Sequence, residues 1–255
     1  MAGQLLTLAV DVTATNPGIV YQDDDSLLYV YNQAGEILAA NDDGIPGIVE
    51  GGKSSVFNFL VPADGTYYAA VITYGYGLND PTVELGRPFN TITGFAGKGL
   101  SNIDFALNIS STPIPETARF FQIALAADPT IPVGSFLIDG NTILNLVLNG
   151  TQTTSDTGLI NVTVEGNTLT FDNLEFILEF AEPFPSNDIN DVLDMLEGLT
   201  ATAIIPPDVF SEQIVFSEGQ MPGTQTALEP TSESNGASLT RIIHKIAVSL
   251  CKPLF

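Results

Sequence analysis

A chain of 255 residues, 44% of them hydrophobic and only 15% charged, is long enough for one large domain or two of ordinary size and apolar enough to bury a core. Thirty acids against seven Lys and Arg leave a formal net charge of −23. That field repels nucleic-acid phosphates and anionic headgroups, attracts divalent cations and basic partners, and equally suits solubility in a salty or secreted setting. One cysteine (Cys251) and one histidine (His244) exclude an internal disulfide framework, a multi-Cys zinc site and a Cys/His nucleophile pair with further partners.

The predicted elements of the first half are all strands. "QLLTLAVDV" (4–12) comes first; its start carries no basic n-region and contains Asp11, so it reads as a strand and not as a signal peptide. "SLLYVYNQ" (26–33) follows, with Leu27, Tyr29 and Tyr31 on one face and Leu28 and Val30 on the other. A turn at Ala34-Gly35 leads to "EILAAN" (36–41). "SSVFNFLVP" (54–62) and "TYYAAVITYG" (66–75) flank the turn "ADG", and after a Gly-rich excursion "IDFALNIS" (103–110) closes the set. Such spacing without an intervening helix predicts an antiparallel β-sandwich over 1–110. No run of some 20 apolar residues marks a transmembrane segment.

"SSTPIPETA" (110–118) breaks the pattern and places a linker over 111–118. A second β-rich domain is predicted over 119–219, from "GSFLIDGN" (134–141), "TILNLVLNG" (142–150), "GLINVTVEGN" (158–167), "TLTFDNLEFILEF" (168–180, read as one strand) and "EQIVFSEG" (212–219). One helix is expected in "SNDINDVLDMLEGL" (186–199), with Ser186 or Asn187 as N-cap, Ile189, Val192, Leu193 and Leu196 on one face, and Gly198 at its end. Residues 220–238 have linker composition, and 239–255 form a basic amphipathic tail. Between Phe120 and Thr240 there are seventeen Asp and Glu and no Lys or Arg, so these carboxylates must be solvated, hydrogen-bonded or metal-bound.

Two blocks, "DSLLYVYNQAGEILAANDDG" (25–44) and "FNFLVPADGTYYAAVITYGYG" (57–77), lie in the order and spacing of the bacterial pre-peptidase C-terminal domain, and residues 4–110 resemble that family. The resemblance implies a non-catalytic, jelly-roll-like β-sandwich of secreted or cell-surface proteins, an accessory to exported enzymes, in some relatives calcium-binding or attached to polymers. It covers under half of the chain, and the second half resembles no family. Relatives usually start one or two strands before the one at Gln4. The resemblance therefore implies a shortened domain or a start upstream, and an open sheet edge able to pair with another chain.

If 26–33 and 36–41 form a hairpin, the loops "QDDDS" and "NDDG" emerge at one end of the sheet. Asp25, Asp42 and Asp43, then Asp23, Asp24 and Asn41, become candidate ligands for a calcium ion, which takes six to eight oxygens. Such crowded carboxylates must protonate in part or hold a cation. Against this stands a solvated acidic rim with "NDDG" as an ordinary turn, since no twelve-residue calcium loop or calcium repeat occurs. Asp64, in "PADG", reads as structural. Glu175 and Glu179 share one strand face and read as solvent-facing, not as glycosidase acids. Tyr74 and Tyr76 are a weaker candidate for carbohydrate stacking than for core and loop, and His244 lacks a second His to share a metal.

The expected protein is thus a non-enzymatic, exported or cell-surface adhesion or accessory module, stabilised by calcium, with an extracellular polymer or protein as partner and no nucleic acid. The alternative is a self-assembling subunit of an extracellular layer or filament that pairs through sheet edges. A glycan or peptide hydrolase ranks third, for want of a site.

Overall fold

Runs of Val, Ile, Leu and aromatic residues alternating with small polar ones, cut by Gly- and Asn-containing turns, produce fifteen strands and one helix among the described residues of the computed structural model. It describes residues 2–15, 26–41, 55–73, 103–148, 150–153, 159–172, 174, 176–205 and 208–222. The chain is mostly β, and it divides into two compact units, Met1–Pro113 with Asp156–Gly158, and Ile114–Ser155 with Leu159–Phe255. Among the described residues no helix is long and apolar enough to cross a membrane.

In the first unit β1 (Leu5–Thr15) lies between β4 (Ser55–Leu60) and β6 (Ile103–Thr112), antiparallel to both. A second ladder places β2 (Ser26–Tyr31) between β3 (Ile37–Asn41) and β5 (Tyr68–Thr73). Leu8 and Val10 of β1, Leu28 and Val30 of β2, Ala39, Val56 and Phe59 form one buried cluster, so the two ladders pack face to face as a sandwich. Leu27, Tyr29 and Tyr31 are buried on the opposite face of β2, the two tyrosine rings stacked with centroids 5.7 Å apart. With both faces covered, β2 reads as an unbroken apolar run, and the period of two assigns each residue its side. One bulge interrupts the β1–β4 ladder: Phe57 and Asn58 oppose Thr7 alone. Asn58 takes a left-handed φ of 51°, which Asn tolerates better than most residues, and its N–H is donated to the Thr7 hydroxyl at 3.5 Å.

The second unit is an antiparallel meander: β7 (Arg119–Leu125), β8 (Asp128–Asp139), β9 (Thr142–Leu148), β10 (Thr151–Thr153), β11 (Ile160–Glu165), β12 (Thr168–Phe171), β13 (Phe176–Phe180), α1 (Ile189–Met195), β14 (Thr200–Ile205) and β15 (Asp208–Glu218). β15 pairs back onto β7 and β9 reaches β11 through Ile143 and Thr142, closing eight strands into a barrel; β10 is a short arm on β9. Alternate residues point inward: Phe121 and Ile123, Phe136 and Ile138, Val162 and Val164, Leu169 and Phe171, Phe176, Leu178 and Phe180, Ile214 and Phe216. An eight-stranded barrel is just wide enough for side chains to fill, and here aromatic rings fill it. Phe136 stacks on Phe121 at 5.1 Å and meets Phe171 and Phe216 edge-on, each at 6.4 Å.

Several elements differ from the sequence expectation. Residues 168–180 are two strands, because the inward residues change parity between Phe171 and Phe176, which face each other across a turn. Strands β7, β10 and β14 were not expected, and β8 begins at Asp128, ahead of the expected 134. β6 continues to Thr112, into the expected linker. The helix is Ile189–Met195, shorter than 186–199. Its N-cap is Asp188, neither Ser186 nor Asn187: the Asp188 carboxylate accepts the Asn190 N–H at 2.9 Å, while the Ser186 hydroxyl accepts the Asp188 N–H at 3.0 Å. The apolar face is as expected, with Val192, Leu193 and Leu196 buried in the barrel core and Ile189 packed against it.

Candidate functional site

The candidate cation site depends on the β2–β3 hairpin, and that hairpin forms. Asn32 and Glu36 clamp its turn: Gly35 N–H donates to the Asn32 carbonyl at 3.0 Å, Glu36 N–H to Asn32 Oδ1 at 2.9 Å, and the Asn32 amide to Glu36 Oε2 at 2.6 Å. Gly35, at φ 85°, supplies the left-handed residue this turn requires. The ladder pairs Tyr31 with Ile37, Val30 with Ala39, Tyr29 with Ala40 and Leu28 with Asn41. On the other side of β2, Ser26 pairs with Thr73. The first residue of β2, the last of β3 and the last of β5 therefore share one end of the ladder. Ser26 and Asn41, both polar and buried, sit at that end.

Of the six candidate ligands, Asn41 is described; Asp23, Asp24, Asp25, Asp42 and Asp43 lie outside the described residues. By chain connectivity Asp25 precedes Ser26 and Asp42 follows Asn41. Among the described residues no group of three or more His, Cys, Asp and Glu is placed to hold a metal ion. Tyr74, Tyr76, Glu175, His244, Cys251 and the tail 239–255 also lie outside them, as do residues 223–238 of the expected linker.

Two further carboxylates are placed. Asp64 lies exposed in its turn and accepts the Ala2 N–H at 2.9 Å, a tie across the start of the unit. Glu179 faces outward from β13, opposite Thr168 on one side and Thr202 on the other.

Three acids of the Lys- and Arg-free stretch of the second unit accept hydrogen bonds from threonine hydroxyls. Thr117 donates to Asp139 at 2.6 Å, Thr130 to Asp128 at 2.6 Å and Thr163 to Asp172 at 3.2 Å. One ion-pair network was not anticipated, because its cation is one residue outside that stretch. Arg119 clasps Glu218 bidentately, both contacts at 2.8 Å, reaches Asp194 at 2.7 Å, and lies 5.2 Å from the Phe121 ring centroid. It ties β7 to β15 and to α1, and its partners are 75 and 99 residues away in sequence, so no local pattern shows it.

Hydrogen bonding to Arg119 holds the Glu218 carboxyl below its ordinary range, and the same contact raises Arg119. A carboxyl depressed in the folded state adds stability above its unfolded pKa and loses it as pH falls through the folded value. Solvent screening limits the effect to about 1 kcal/mol or less. Glu218→Gln is expected to flatten the acid limb of a stability profile taken from about pH 7 down to about pH 3; parallel limbs for variant and parent would rule the pair out as a contributor.

Matches to this chain were found neither among family models nor among curated proteins or solved structures.

Proposed function

We propose that this chain is a non-catalytic, exported or cell-surface bacterial protein whose first unit is a pre-peptidase-C-terminal-like accessory or adhesion module stabilised by calcium. The observation that carries the cation part is the hairpin register. Leu28 paired with Asn41 puts Ser26 and Asn41, the residues that border the aspartates of "QDDDS" and "NDDG" in sequence, at the same end of one ladder, which supports a shared ion there. Asp25, Asp42 and Asp43 are the principal ligands in this reading, with Asp23, Asp24 and the Asn41 amide completing the set. A sandwich of antiparallel ladders is the architecture that the family resemblance implies, and the formal charge of −23 adds a long-range attraction for divalent ions. The adhesion part rests on the resemblance in residues 25–44 and 57–77, and the partner it implies is an extracellular polymer or protein.

Thermal melts in EDTA, in about 1 mM calcium and in magnesium test the cation reading. A site of about 10 μM dissociation constant adds roughly 2.7 kcal/mol by mass action. That raises the melting midpoint of a unit this size by several degrees. The rise is expected with calcium alone and is expected to vanish in the Asp25→Ala, Asp42→Ala, Asp43→Ala triple variant. No shift, or one equal in magnesium, would leave those aspartates as a solvated rim.

A further inference from the structure

Strand β6 occupies an end of the three-stranded ladder β4-β1-β6, and β1 is its one ladder neighbour among the described residues. Its pairing with β1 is nearly unbroken over ten residues. Phe105, Leu107 and Ile109 stand opposite Val12, Val10 and Leu8, so they lie on the core-facing side of the ladder. Leu107 packs against that core, yet Phe105 is 45% and Ile109 60% exposed. An apolar row thus begins in the core and continues uncovered along the rim. Edge strands are normally protected by Lys, Pro or a charge pointing inward. "IDFALNISST" contains no Lys, Arg or Pro, and Asp104 is its one charge.

The pattern is also self-complementary. When β6 is paired antiparallel with β6 of a second molecule about a two-fold axis at Leu107, Leu107 meets its own equivalent and Phe105 stands opposite Ile109 twice. Residues directly opposite in an antiparallel pair project to the same face, so the apolar rows join into one. Asp104 stands opposite Ser110, and no carboxylate meets a carboxylate. For a chain of net charge −23 this matters, because two copies repel except along a strip nearly free of charge. A cationic partner would gain nothing from that strip.

We infer that β6 is a homodimerisation edge, through which two copies join their three-stranded ladders into one six-stranded sheet with isologous symmetry. The interface rests on the sandwich and not on the cation reading, and measuring in both EDTA and calcium separates the two.

Sedimentation velocity of the full chain, from low micromolar to several hundred micromolar, is expected to show a monomer–dimer equilibrium. Ile109→Lys is expected to weaken it by roughly tenfold or more, while the monomer's circular-dichroism melt stays in place. Should that variant misfold, Phe105→Ser carries the same expectation. In a Cys251→Ser background, Phe105→Cys mixed with Ile109→Cys is expected to form a disulfide-linked dimer on mild oxidation, in excess of either variant alone. A monomer at every concentration, a dimer indifferent to both substitutions, or cross-linking no greater in the mixture than in the single variants would overturn the assignment.

Discussion

Phe136→Ala is expected to destabilise the barrel unit by about 3–5 kcal/mol, read from chemical-denaturant midpoints. Phe136 is 2% exposed and touches three other rings, Phe121, Phe171 and Phe216. These come from β7, β12 and β15, so its truncation loosens contacts across the barrel and not along one hairpin. Rings at such separations contribute beyond the area they bury. The surrounding strands are fixed by closure and cannot collapse far, which keeps the cavity open and the cost at the high end. Phe136→Leu should restore part of the loss. Met195→Ala, at a side chain 44% exposed on α1, is the control and should shift stability by no more than about 0.5 kcal/mol. A Phe136→Ala variant within that margin of the parent would show that the barrel interior is not packed as described.

Gly134→Ala is the second large effect, and it acts by crowding. Gly134 pairs with Ile123 on β7 and Leu148 on β9, next to a bulge that leaves Val133 between the pairs Ile123–Gly134 and Ala124–Pro132. A Cβ at this position would lie 2.5 Å from the Val147 carbonyl oxygen and 3.0 Å from Leu148 Cδ2. The first neighbour is backbone in a ladder and cannot swing aside. The expected loss is about 1–3 kcal/mol, larger for Gly134→Val, because overpacking forces strand shifts. Gly65, whose added Cβ would meet nothing within 4 Å, is the matched control, and Gly65→Ala should be close to neutral. Equal stability of the two alanine variants would contradict the close β8–β9 approach.

Much of this architecture is legible locally. The face assignment of β2 follows from its period, since Leu28 and Val30 fall in one cluster and Leu27, Tyr29 and Tyr31 in another. The Asn32–Glu36 turn follows from Ala34-Gly35 between two apolar runs. The apolar face of α1 follows from helical spacing, although its cap is Asp188, whose carboxylate accepts the Asn190 N–H while the Ser186 hydroxyl accepts the N–H of Asp188 itself. Other features were not legible for identifiable reasons. β14, "TATAII", places the small Ala201 and Ala203 in the barrel core, opposite Phe180 and Leu178 of β13, and so it lacks the bulk that marks a strand. β8 carries Pro129 and Pro132 in its first half, which argue against a strand until the bulge at Val133 is seen. For the candidate site, the sequence anticipated the β2–β3 hairpin, whose described end residues are Ser26 and Asn41.

Sequence alone determined that this is an all-β chain with one short helix, where its first-unit strands turn, and that its acids far outnumber its cations. These properties are set by period, turn chemistry and composition, each of which acts over a few residues. Tertiary structure alone decided that the second unit closes. β15 returns to β7 from some ninety residues away, pairing Phe216 with Ile123, and β9 bridges to β11 past its own hairpin arm. It also decided that Arg119 meets Glu218 and Asp194, and that Phe105 and Ile109 stay uncovered on a core-facing row. Strand pairing is a contact between distant segments, and its partner is chosen by how the whole set of apolar faces can be buried together.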